Sequence, residues 1–540
     1  MILRVTITVP PSREKDSAFI RQELSRELKK QDKTIDLKNT ESVCEKKSID
    51  ARHGKAKLVM RFAIYTDGDS PQKENALPVW KTADKNHTVI IVGSGPAGLF
   101  GALTLLEHGI RPVIVEQGSE VGKRKRDIAE ISTKGNVNDH SNYCFGEGGA
   151  GTFSDGKLYT RSNKRGDISK VLRIFVHFGA DKKILTDAHP HIGTDKLPDI
   201  IKAMRGFIIS RGGNIYFDRQ CIDFIVKKNS DEIQCVCGIK TKDTNTGHEE
   251  ILLGDAVLLA TGHSAEDMYY LVAKYAPLSL EAKTFAVGVR VEHPREVIDS
   301  IQYKNQKDRE LLGAAEYRFT SQQAGRGVYS FCMCPGGFVV PSASRSSQIV
   351  VNGMSAARRN SAWSNAAFVV ETKPEDIPLE FVEKAKEKGS ASLAGLLWRE
   401  HLEEEAYRNG MGQKAPAQKL TDFLNHRDSS VLPPTSFAPG VRASRLDKWL
   451  PPQIAERLEK AFYEADRKMK GFASEEALLI AIETRTSTPV RILRELDTCQ
   501  CSLLKNLYPA GEGSGYAGGI VSSAMDGIKA CEAIATRIEK

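Results

Sequence analysis

Several common sequence signals are missing from this chain of 540 residues. It contains no C-x-x-C pair, which counts against a structural zinc site and against a dithiol relay built on that spacing. No stretch approaches about 18 apolar residues, so we expect no segment to span a membrane. The first residues do not place a charged segment before an apolar one, so we expect no signal peptide. These absences and the scattered cysteines together predict a cytoplasmic protein with reduced thiols.

The ten cysteines include three pairs with C-x-C spacing. In a β-strand, residues two positions apart point to the same face of the sheet, so this spacing by itself indicates a shared face and no chemistry. The pairs are Cys235/Cys237, Cys332/Cys334 and Cys499/Cys501.

Positive charge is only slightly in excess. The chain has 77 Lys and Arg residues against 69 Asp and Glu residues, a formal net charge of +8 at pH 7. The basic residues are spread out, and clusters such as residues 123–126 are short. A solvated surface therefore explains them better than nucleic-acid binding, and we expect a small-molecule substrate of unknown identity. The oligomeric state stays open.

A strand–turn–helix–strand unit between residues 88 and 116 is the strongest signal in the chain. Residues 88–92 are a short β-branched run typical of a buried strand, and Gly93, Gly95 and Gly98 follow as G-x-G-x-x-G. A second apolar run ends in Glu116, about 20 residues beyond the turn. The glycines allow a tight turn, close approach of a pyrophosphate and close helix packing, and the acidic residue suits a ribose. The unit therefore predicts dinucleotide binding at a helix N-terminus.

Three further segments fit the same ligand. Residues 142–158 hold five glycines within about a dozen positions, which suits backbone lying against a planar ligand. The apolar run 255–260 ends in Thr261-Gly262, as the first nucleotide lobe of flavoproteins does. Near the C-terminus, Gly513, Gly515 and Gly518 again match G-x-G-x-x-G, but no strand and acid can follow before Lys540. We interpret that segment as part of the first nucleotide site, with the Glu512 carboxylate holding the ribityl hydroxyls of a flavin.

The chain resembles a family of FAD-dependent dehydrogenases, mostly bacterial and functionally uncharacterised, with the two-dinucleotide-binding flavoprotein fold. The resemblance implies FAD and redox chemistry, and it supplies no substrate. It extends from the first glycine motif to the C-terminus and rests on residues 145–158, 190–194, 260–265, 285–290, 329–337, 351–355, 483–487 and 511–520.

We expect an α/β protein with four parts. Residues 1–83 alternate apolar positions around a helical stretch and predict a small ferredoxin-like α+β domain. Residues 84–280 predict the first part of a Rossmann-like FAD-binding domain, residues 281–480 an inserted substrate or cap domain with a β part and then helices, and residues 481–540 the segment that closes the FAD-binding domain.

The candidate site residues divide into two groups. Those expected to bind FAD are Gly93, Ser94, Gly95, Pro96, Ala97, Gly98, Glu116, Gln117, Arg124, Gly149, Ala150, Gly151, Thr152, Cys221, Thr261, Gly262, Gly511, Glu512, Gly518, Gly519 and Ile520. For Arg124, a pyrophosphate contact and a plain surface position are both open. The polar candidates for the substrate pocket are His263, His191, Lys157, Arg290 and Arg485, each of which could equally make a structural hydrogen bond.

These features predict an FAD-dependent oxidoreductase that transfers hydride through flavin N5 to or from a small molecule. NAD(P)H could serve as a transient reductant. Two alternatives stay open: an NAD(P)H-using flavin monooxygenase or tRNA-modifying flavoprotein, and a flavin-binding module without catalysis that serves a partner through residues 1–83.

Overall fold

The structure is a computed structural model that describes residues 2–31, 35, 37, 40–50, 56–66, 69, 77–160, 166–228, 232–303 and 306–540. The strands are β1 (Ile2–Val9), β2 (Glu41–Asp50), β3 (Lys57–Tyr65), β4 (Thr88–Val92), β5 (Arg111–Val115), β6 (Asn214–Tyr216), β7 (Arg219–Lys228), β8 (Gln234–Asp243), β9 (Glu249–Leu253), β10 (Ala256–Leu259), β11 (Leu280–Ala282), β12 (Phe285–Pro294), β13 (Thr320–Gln323), β14 (Arg326–Cys334), β15 (Phe338–Pro341), β16 (Val351–Met354), β17 (Trp363–Thr372), β18 (Ala415–Lys419), β19 (Val441–Ala443), β20 (Leu478–Glu483), β21 (Val490–Ile492) and β22 (Leu507–Pro509). The helices are α1 (Ser17–Lys30), α2 (Pro96–Glu107), α3 (Val121–Lys134), α4 (Ile168–His177), α5 (Leu197–Ser210), α6 (Glu266–Tyr275), α7 (Arg295–Gln302), α8 (Gln306–Leu312), α9 (Leu379–Glu387), α10 (Ala394–Asn409), α11 (Leu420–Leu424), α12 (Leu446–Trp449), α13 (Pro452–Lys468) and α14 (Ile520–Ile538).

The N-terminal part is a small α+β unit. Its antiparallel sheet has the order β1-β3-β2, and α1 packs its buried Leu24 and Leu28 against the apolar face of that sheet. The Asp16 side chain caps α1 by accepting from the Phe19 N–H, which fixes where the helix begins. The described residues thus give one helix and three strands, and the ferredoxin-like assignment, which needs a further helix and strand, stays a prediction.

A parallel five-stranded sheet of order β22-β10-β4-β5-β6 forms the Rossmann-like layer. Its central strand β4 is apolar and buried on both faces, as the β-branched run predicted. The sheet combines strands from opposite ends of the chain, since β22 begins at Leu507 and pairs with β10, which pairs with β4. Helix α14 then packs against α2. The fold is therefore mixed α/β with a Rossmann-like layer that the C-terminal segment completes.

A second, seven-stranded sheet lies between the two parts of the Rossmann-like layer in sequence. Its order is β13-β14-β17-β12-β20-β18-β19, and every pair in it is antiparallel except β18 with β19. Helices α10 and α13 pack against this sheet. A β part followed by helices was predicted here, whereas the four domain boundaries stay predictions.

The connection from β6 to β10 is an antiparallel meander, β7-β8-β9. Among the helices in the described part of the chain, none is long and apolar enough to cross a membrane.

Candidate cofactor and substrate site

Two helices begin at the same place, beside the carboxyl end of the parallel sheet. Helix α2 starts after Gly95 and α14 starts after Gly519, and neither N-cap supplies a side-chain hydrogen bond. The first N–H groups of a helix have no partner inside it, and the helix dipole adds positive character. The two ends are therefore suited to hold negatively charged groups such as a pyrophosphate.

Glycines bring the surrounding loops together. A Cβ on Gly93 would lie 2.4 Å from the Ala260 carbonyl oxygen, and one on Gly513 would lie 2.4 Å from the Gly262 carbonyl oxygen. Gly98 is needed for packing, because its Cβ would lie 2.0 Å from the Gly93 carbonyl oxygen. These contacts join the G-x-G-x-x-G turn, the end of β10 and the C-terminal loop.

Other glycines face open space. Apart from the adjoining residues of the chain, no heavy atom of the described residues lies within 4 Å of the position of a Cβ on Gly262, Gly518 or Gly519. At Gly149 a Cβ would lie 3.1 Å from the Gly95 Cα, so these two loops face each other across a narrow gap. Side chains at such positions would occupy the space in which a bound molecule lies, so the arrangement fits a flat, extended cofactor held by backbone.

The loops enclose an open cavity of about 320 Å³. This volume lies in the usual range for small-molecule sites. The cavity is lined by most of the residues predicted to bind FAD: Gly93, Gly95, Pro96, Ala97, Glu116, Gly149, Ala150, Gly151, Thr261, Gly262, Gly511, Glu512, Gly518, Gly519 and Ile520. It is also lined by three of the predicted substrate-pocket residues, Lys157, His263 and Arg485.

A smaller recess of about 40 Å³ shares Gly93, Glu116 and Thr261 with this cavity. Two more predicted residues, Gln117 and Cys221, line the recess and not the main cavity. Cys221 is buried, and burial is the main cause that raises the pKa of its thiol. The recess lies at the carboxyl ends of β4 and β5.

The Glu116 carboxylate is already fully hydrogen-bonded within the protein. One oxygen accepts from the N–H and hydroxyl of Ser94 at 2.9 and 2.8 Å, and the other accepts from the N–H groups of Gly118 and Gly146 at 2.9 and 3.0 Å. A carboxylate has about four acceptor positions, so a ribose hydroxyl would have to replace one of these donors. Ser94 is buried and contacts Glu116 instead of lining the cavity.

Arg124 is neither a surface residue nor free to bind a phosphate. Its side chain is fully buried, and its guanidinium donates to five carbonyl oxygens of the glycine-rich loop, which belong to Asn142, Tyr143, Gly146, Glu147 and Gly149. A glycine-rich loop has few side chains to order it, and these hydrogen bonds supply that order. Both sequence-based interpretations of Arg124 are therefore corrected: it holds the loop in shape.

Thr152 is also a structural residue. Its N–H donates to the Gly149 carbonyl at 3.2 Å and its hydroxyl donates to the Glu147 carbonyl at 3.2 Å. Because both groups are used inside the loop, Thr152 does not face the cavity. Ala150 and Gly151 open the same short 3-10 turn, where the first N–H groups have no partner within the turn.

Glu512 and His263 contact each other at the cavity wall. The Glu512 carboxylate lies 3.3 Å from the His263 Nδ1, and the Glu512 side chain keeps 25% of its surface exposed. The His263 carbonyl accepts from the buried Arg399 guanidinium at 3.4 Å. Arg399 thereby fixes the backbone of His263 after β10, and Glu512 orients its ring.

A buried chain of charges supports one wall of the cavity. Arg485 donates to both carboxylate oxygens of Glu403 at 2.9 and 2.6 Å, and Arg399 links Glu403 to Glu266. Burial disfavours the charge on Arg485, but Glu403 more than compensates and raises the pKa of Arg485. Arg485 lines the cavity with its positive charge already balanced.

Arg290, a predicted substrate-pocket residue, does not line the cavity. It is fully buried, its guanidinium pairs with Glu483 at 3.0 Å, and it donates to the Asn365 side chain at 2.7 Å and the Cys332 carbonyl at 3.3 Å. Cys332 lines the cavity and Arg290 lies behind it. Arg290 therefore supports the cavity wall and does not reach a substrate, which corrects its assignment to the pocket.

The last part of the glycine-rich segment 142–158 adds charged groups to the cavity wall. The Lys157 Nζ lies 3.3 Å from the Asp155 carboxylate, which also pairs with Arg359 at 2.7 Å. Burial would raise the pKa of Asp155, but the two cations beside it lower that pKa to about 2. His191 lies behind Lys157, with its Nε2 3.3 Å from the Ala357 carbonyl oxygen. Burial and the Arg359 charge lower the pKa of His191, and this residue is not part of the cavity lining.

Sequence reasoning did not identify several residues of the cavity wall. Cys332 and Asn352 lie within motifs that carried the family resemblance, but residue type alone gave no reason to place them beside Lys157. The unpredicted residues that line the cavity include Cys144, Phe145, Asp155, Tyr159, Phe331, Cys332 and Asn352.

The chain is similar to several known proteins and families. A family described as "FAD-dependent protein, C-terminal domain-like" matches residues 284–486, and one described as "FAD binding domain" matches residues 86–128. An uncharacterized protein of Clostridium beijerinckii is 40% identical over 457 residues, which cover 83% of this chain and 81% of that protein. A flavoprotein/dehydrogenase from Cytophaga hutchinsonii is 10% identical with a TM-score of 0.38, and a geranylgeranyl bacteriochlorophyll reductase-like protein from Thermoplasma acidophilum is 10% identical with a TM-score of 0.36. Each of these two alignments covers 84% of this chain and 79% of the solved one.

Proposed function

Because this chain belongs to the family of the Clostridium beijerinckii protein and its cofactor is FAD, we propose that it is an oxidoreductase that transfers hydride between flavin N5 and a small molecule. NAD(P)H acts as a transient reductant in this proposal. One observation carries it: the glycine loops and the polar groups around Lys157 line the same cavity. A cofactor cradle and a place for a substrate are thus parts of one cavity.

The residues that would hold FAD are those whose backbone or carboxylate faces the cavity. The N-termini of α2 and α14 would take its anionic groups, and Glu512 would accept hydrogen bonds from its hydroxyl groups. Gly262, Gly518 and Gly519 leave the space that the cofactor needs. The bound flavin supplies the hydride chemistry, and the protein supplies position and electrostatics.

Three side chains are the best placed to act on the substrate. Lys157 carries a positive charge at the cavity wall, because Cys332, Cys334 and Asp155 together outweigh the effect of burial and raise its pKa. It would bind an anionic or electron-rich group of the substrate. His263 and Arg485 lie elsewhere on the wall, and their partners Glu512 and Glu403 fix their orientation. In this proposal they position the ligand.

The experiment is anaerobic reduction of the purified protein. We expect yellow protein that releases intact FAD on denaturation and whose flavin is bleached by NADH, by NADPH or by an organic donor. Gly518→Val should lose FAD because its side chain enters the cradle. Gly206→Val is the matched control, since Gly206 also has open space at its Cβ position but lies exposed on α5.

The outcomes separate the alternatives. Reduction by NAD(P)H followed by oxygen-dependent oxidation of an added substrate would favour a monooxygenase. Firm FAD binding with no reduction by any donor would favour a non-catalytic module and would contradict the proposal.

A further inference from the structure

Two cysteine thiols contact a single lysine at the wall of the cavity. The Lys157 Nζ lies 3.6 Å from the Cys332 Sγ and 3.6 Å from the Cys334 Sγ. Both cysteines are free thiols. Because each sulfur contacts the same Lys157 nitrogen, the two sulfurs lie close to each other. One of the two other C-x-C pairs, Cys235/Cys237, lies on β8 and does not line the cavity.

The backbone between the two cysteines departs from a regular strand. Phe331 pairs with Ala367 and Cys334 pairs with Asn365, so β14 contains one residue more than β17 over this stretch. Cys332 has a φ of +46°, a left-handed conformation that costs energy for a residue other than glycine. Such a bulge redirects side chains. The pair therefore lies at a bulge instead of in a regular strand, and both sulfurs contact the same lysine.

The two thiols differ in exposure. Cys332 is half-buried and lines the cavity, whereas Cys334 is fully buried behind it and its Sγ lies 3.3 Å from the Cys332 carbonyl oxygen. A substrate in the cavity can reach Cys332 and not Cys334. Cys334 can therefore react only in a second step, with Cys332. This order is the one that a dithiol needs, with an attacking sulfur in front and a resolving sulfur behind.

The charges around the pair favour a thiolate at the front position. The Cys334 thiol beside it lowers the pKa of Cys332, burial opposes this effect, and the Lys157 ammonium and the Arg290 guanidinium lower that pKa further. The neighbouring Cys332 sulfur and burial raise the pKa of Cys334. Asp155 and Glu483 balance the two cations at 3.3 and 3.0 Å. One thiolate and one thiol are thus the favoured state of the pair.

We propose that Cys332 and Cys334 form a redox-active dithiol that exchanges with an organic disulfide in the cavity, with Cys332 as the attacking thiolate and Cys334 as the resolving thiol. This inference deepens the proposed function, on which it rests, because it assigns a class of substrate to the same cavity. It also revises the expectation that the lack of C-x-x-C counts against a dithiol relay, since the bulge brings a C-x-C pair together.

The exchange balances in two steps. The Cys332 thiolate attacks one sulfur of the substrate, an S–S bond forms between Cys332 and that sulfur, and the other half leaves as a thiolate. Cys334 then loses its proton to a thiolate, its sulfur attacks the Cys332 sulfur, and the second half of the substrate leaves. The protein dithiol is oxidised to a disulfide and the substrate is reduced to one thiol and one thiolate. Return of the Cys332–Cys334 disulfide to thiolate and thiol requires two electrons and one proton, which FAD in its reduced form would supply when bound in the same cavity.

The first test is product mapping on the FAD-loaded protein under anaerobic conditions, with glutathione disulfide as the probe and mass spectrometry of the peptide that contains both cysteines. We expect wild type to form the Cys332–Cys334 disulfide without retained glutathione. Cys334→Ser should keep one glutathione on Cys332, and Cys332→Ser should not react at this site. The Cys235→Ser/Cys237→Ser double variant is the matched control and should behave as wild type. Wild type that keeps glutathione on Cys332 while Cys334 stays a free thiol would overturn the proposal.

The second test measures the role of Lys157 through thiol reactivity. At pH 6 we expect iodoacetamide to alkylate Cys332 at least about tenfold faster than Cys235, since one unit of pKa changes the thiolate fraction about tenfold. Lys157→Met should remove this difference and Lys157→Arg should retain it. Equal rates at Cys332 and Cys235 in wild type would overturn the proposal.

FAD content and reduction by NAD(P)H or an organic donor are recorded on the same samples. A reducible flavin with inert thiols overturns the dithiol and leaves the proposed function intact. Thiols that exchange beside a flavin that no donor reduces overturn the proposed function instead.

Discussion

Removal of the Glu512 carboxylate should weaken FAD binding roughly tenfold to a hundredfold. Glu512 lies in the same cavity as the G-x-G-x-x-G turn, a quarter of its side chain is exposed there, and His263 contacts one of its oxygens at 3.3 Å. Acceptor positions therefore remain for hydroxyl groups of the cofactor. A hydrogen bond to a charged group contributes about 1.5–3 kcal/mol, and about 1.4 kcal/mol corresponds to a factor of ten in affinity.

The assay is equilibrium titration of apoprotein with FAD, followed by flavin fluorescence. Glu512→Asp should be milder than Glu512→Ala, because the charge is kept at a shorter reach. Glu532→Ala, an exposed change on α14, is the control and should bind FAD as wild type does. If Glu512→Ala kept its FAD affinity within about threefold and lost NAD(P)H affinity instead, the C-terminal glycines would belong to a second dinucleotide site and our reasoning would be wrong.

Other predictions follow from packing and titration. Gly98→Ala should destabilise the fold because its Cβ would lie 2.0 Å from a backbone oxygen, whereas Gly95→Ala meets nothing nearer than 3.8 Å and should weaken FAD retention without loss of stability. Arg124→Met should lower the free energy of unfolding by about 3 kcal/mol or more, because five buried carbonyls lose a charged donor. Burial and the nearby Glu266 charge raise the pKa of Glu400 to about 8, so the folded protein keeps a proton that the unfolded chain releases above its ordinary pKa of 4.5. The contribution of Glu400 to stability should therefore fall as the pH rises from 4.5 to about 8, so the stability of wild type relative to Glu400→Gln should decrease over this range.

Each of these has a measurement and a control. Thermal unfolding with flavin retention separates the two glycine variants, and equal stability of both would contradict the packing argument. Urea unfolding compares Arg124→Met with Arg126→Met, an exposed neighbour on α3 that should change little. The same measurement at several pH values compares Glu400→Gln with Glu404→Gln on the exposed face of α10. The same pH dependence of stability in wild type and Glu400→Gln would contradict the titration of Glu400.

The sequence was sufficient where local chemistry and chain order coincide. The pattern at residues 88–116 predicts a strand–turn–helix–strand unit, because it combines a β-branched run, three glycines at fixed spacing and an acidic residue after the next strand. The structure has this unit as β4, α2 and β5. Glu512 was expected to belong to the site of the first glycine motif, and it lines the same cavity as Gly93.

The sequence was insufficient where the outcome depends on contacts between distant segments. Arg124 and Arg126 are the same residue type in the same basic cluster. The sequence alone therefore could not show that Arg124 is buried and organises a loop while Arg126 is exposed. Arg290 differs from a substrate-binding arginine only because Glu483 lies beside it, 193 residues away in the chain. The bulge at Cys332 depends on its pairing with β17, which a count of residues between cysteines does not show.

The pairing of β22 with β10 has a consequence for the order of events during synthesis. The cradle needs Gly93 and Glu512, so the ribosome has made β12 through β20 before the last loop of the cradle exists. Domains generally fold in order of synthesis, and contacts between distant residues form slowly. We therefore expect FAD to bind late in folding. A chain that has bound FAD should already have its seven-stranded sheet formed and α14 packed against α2.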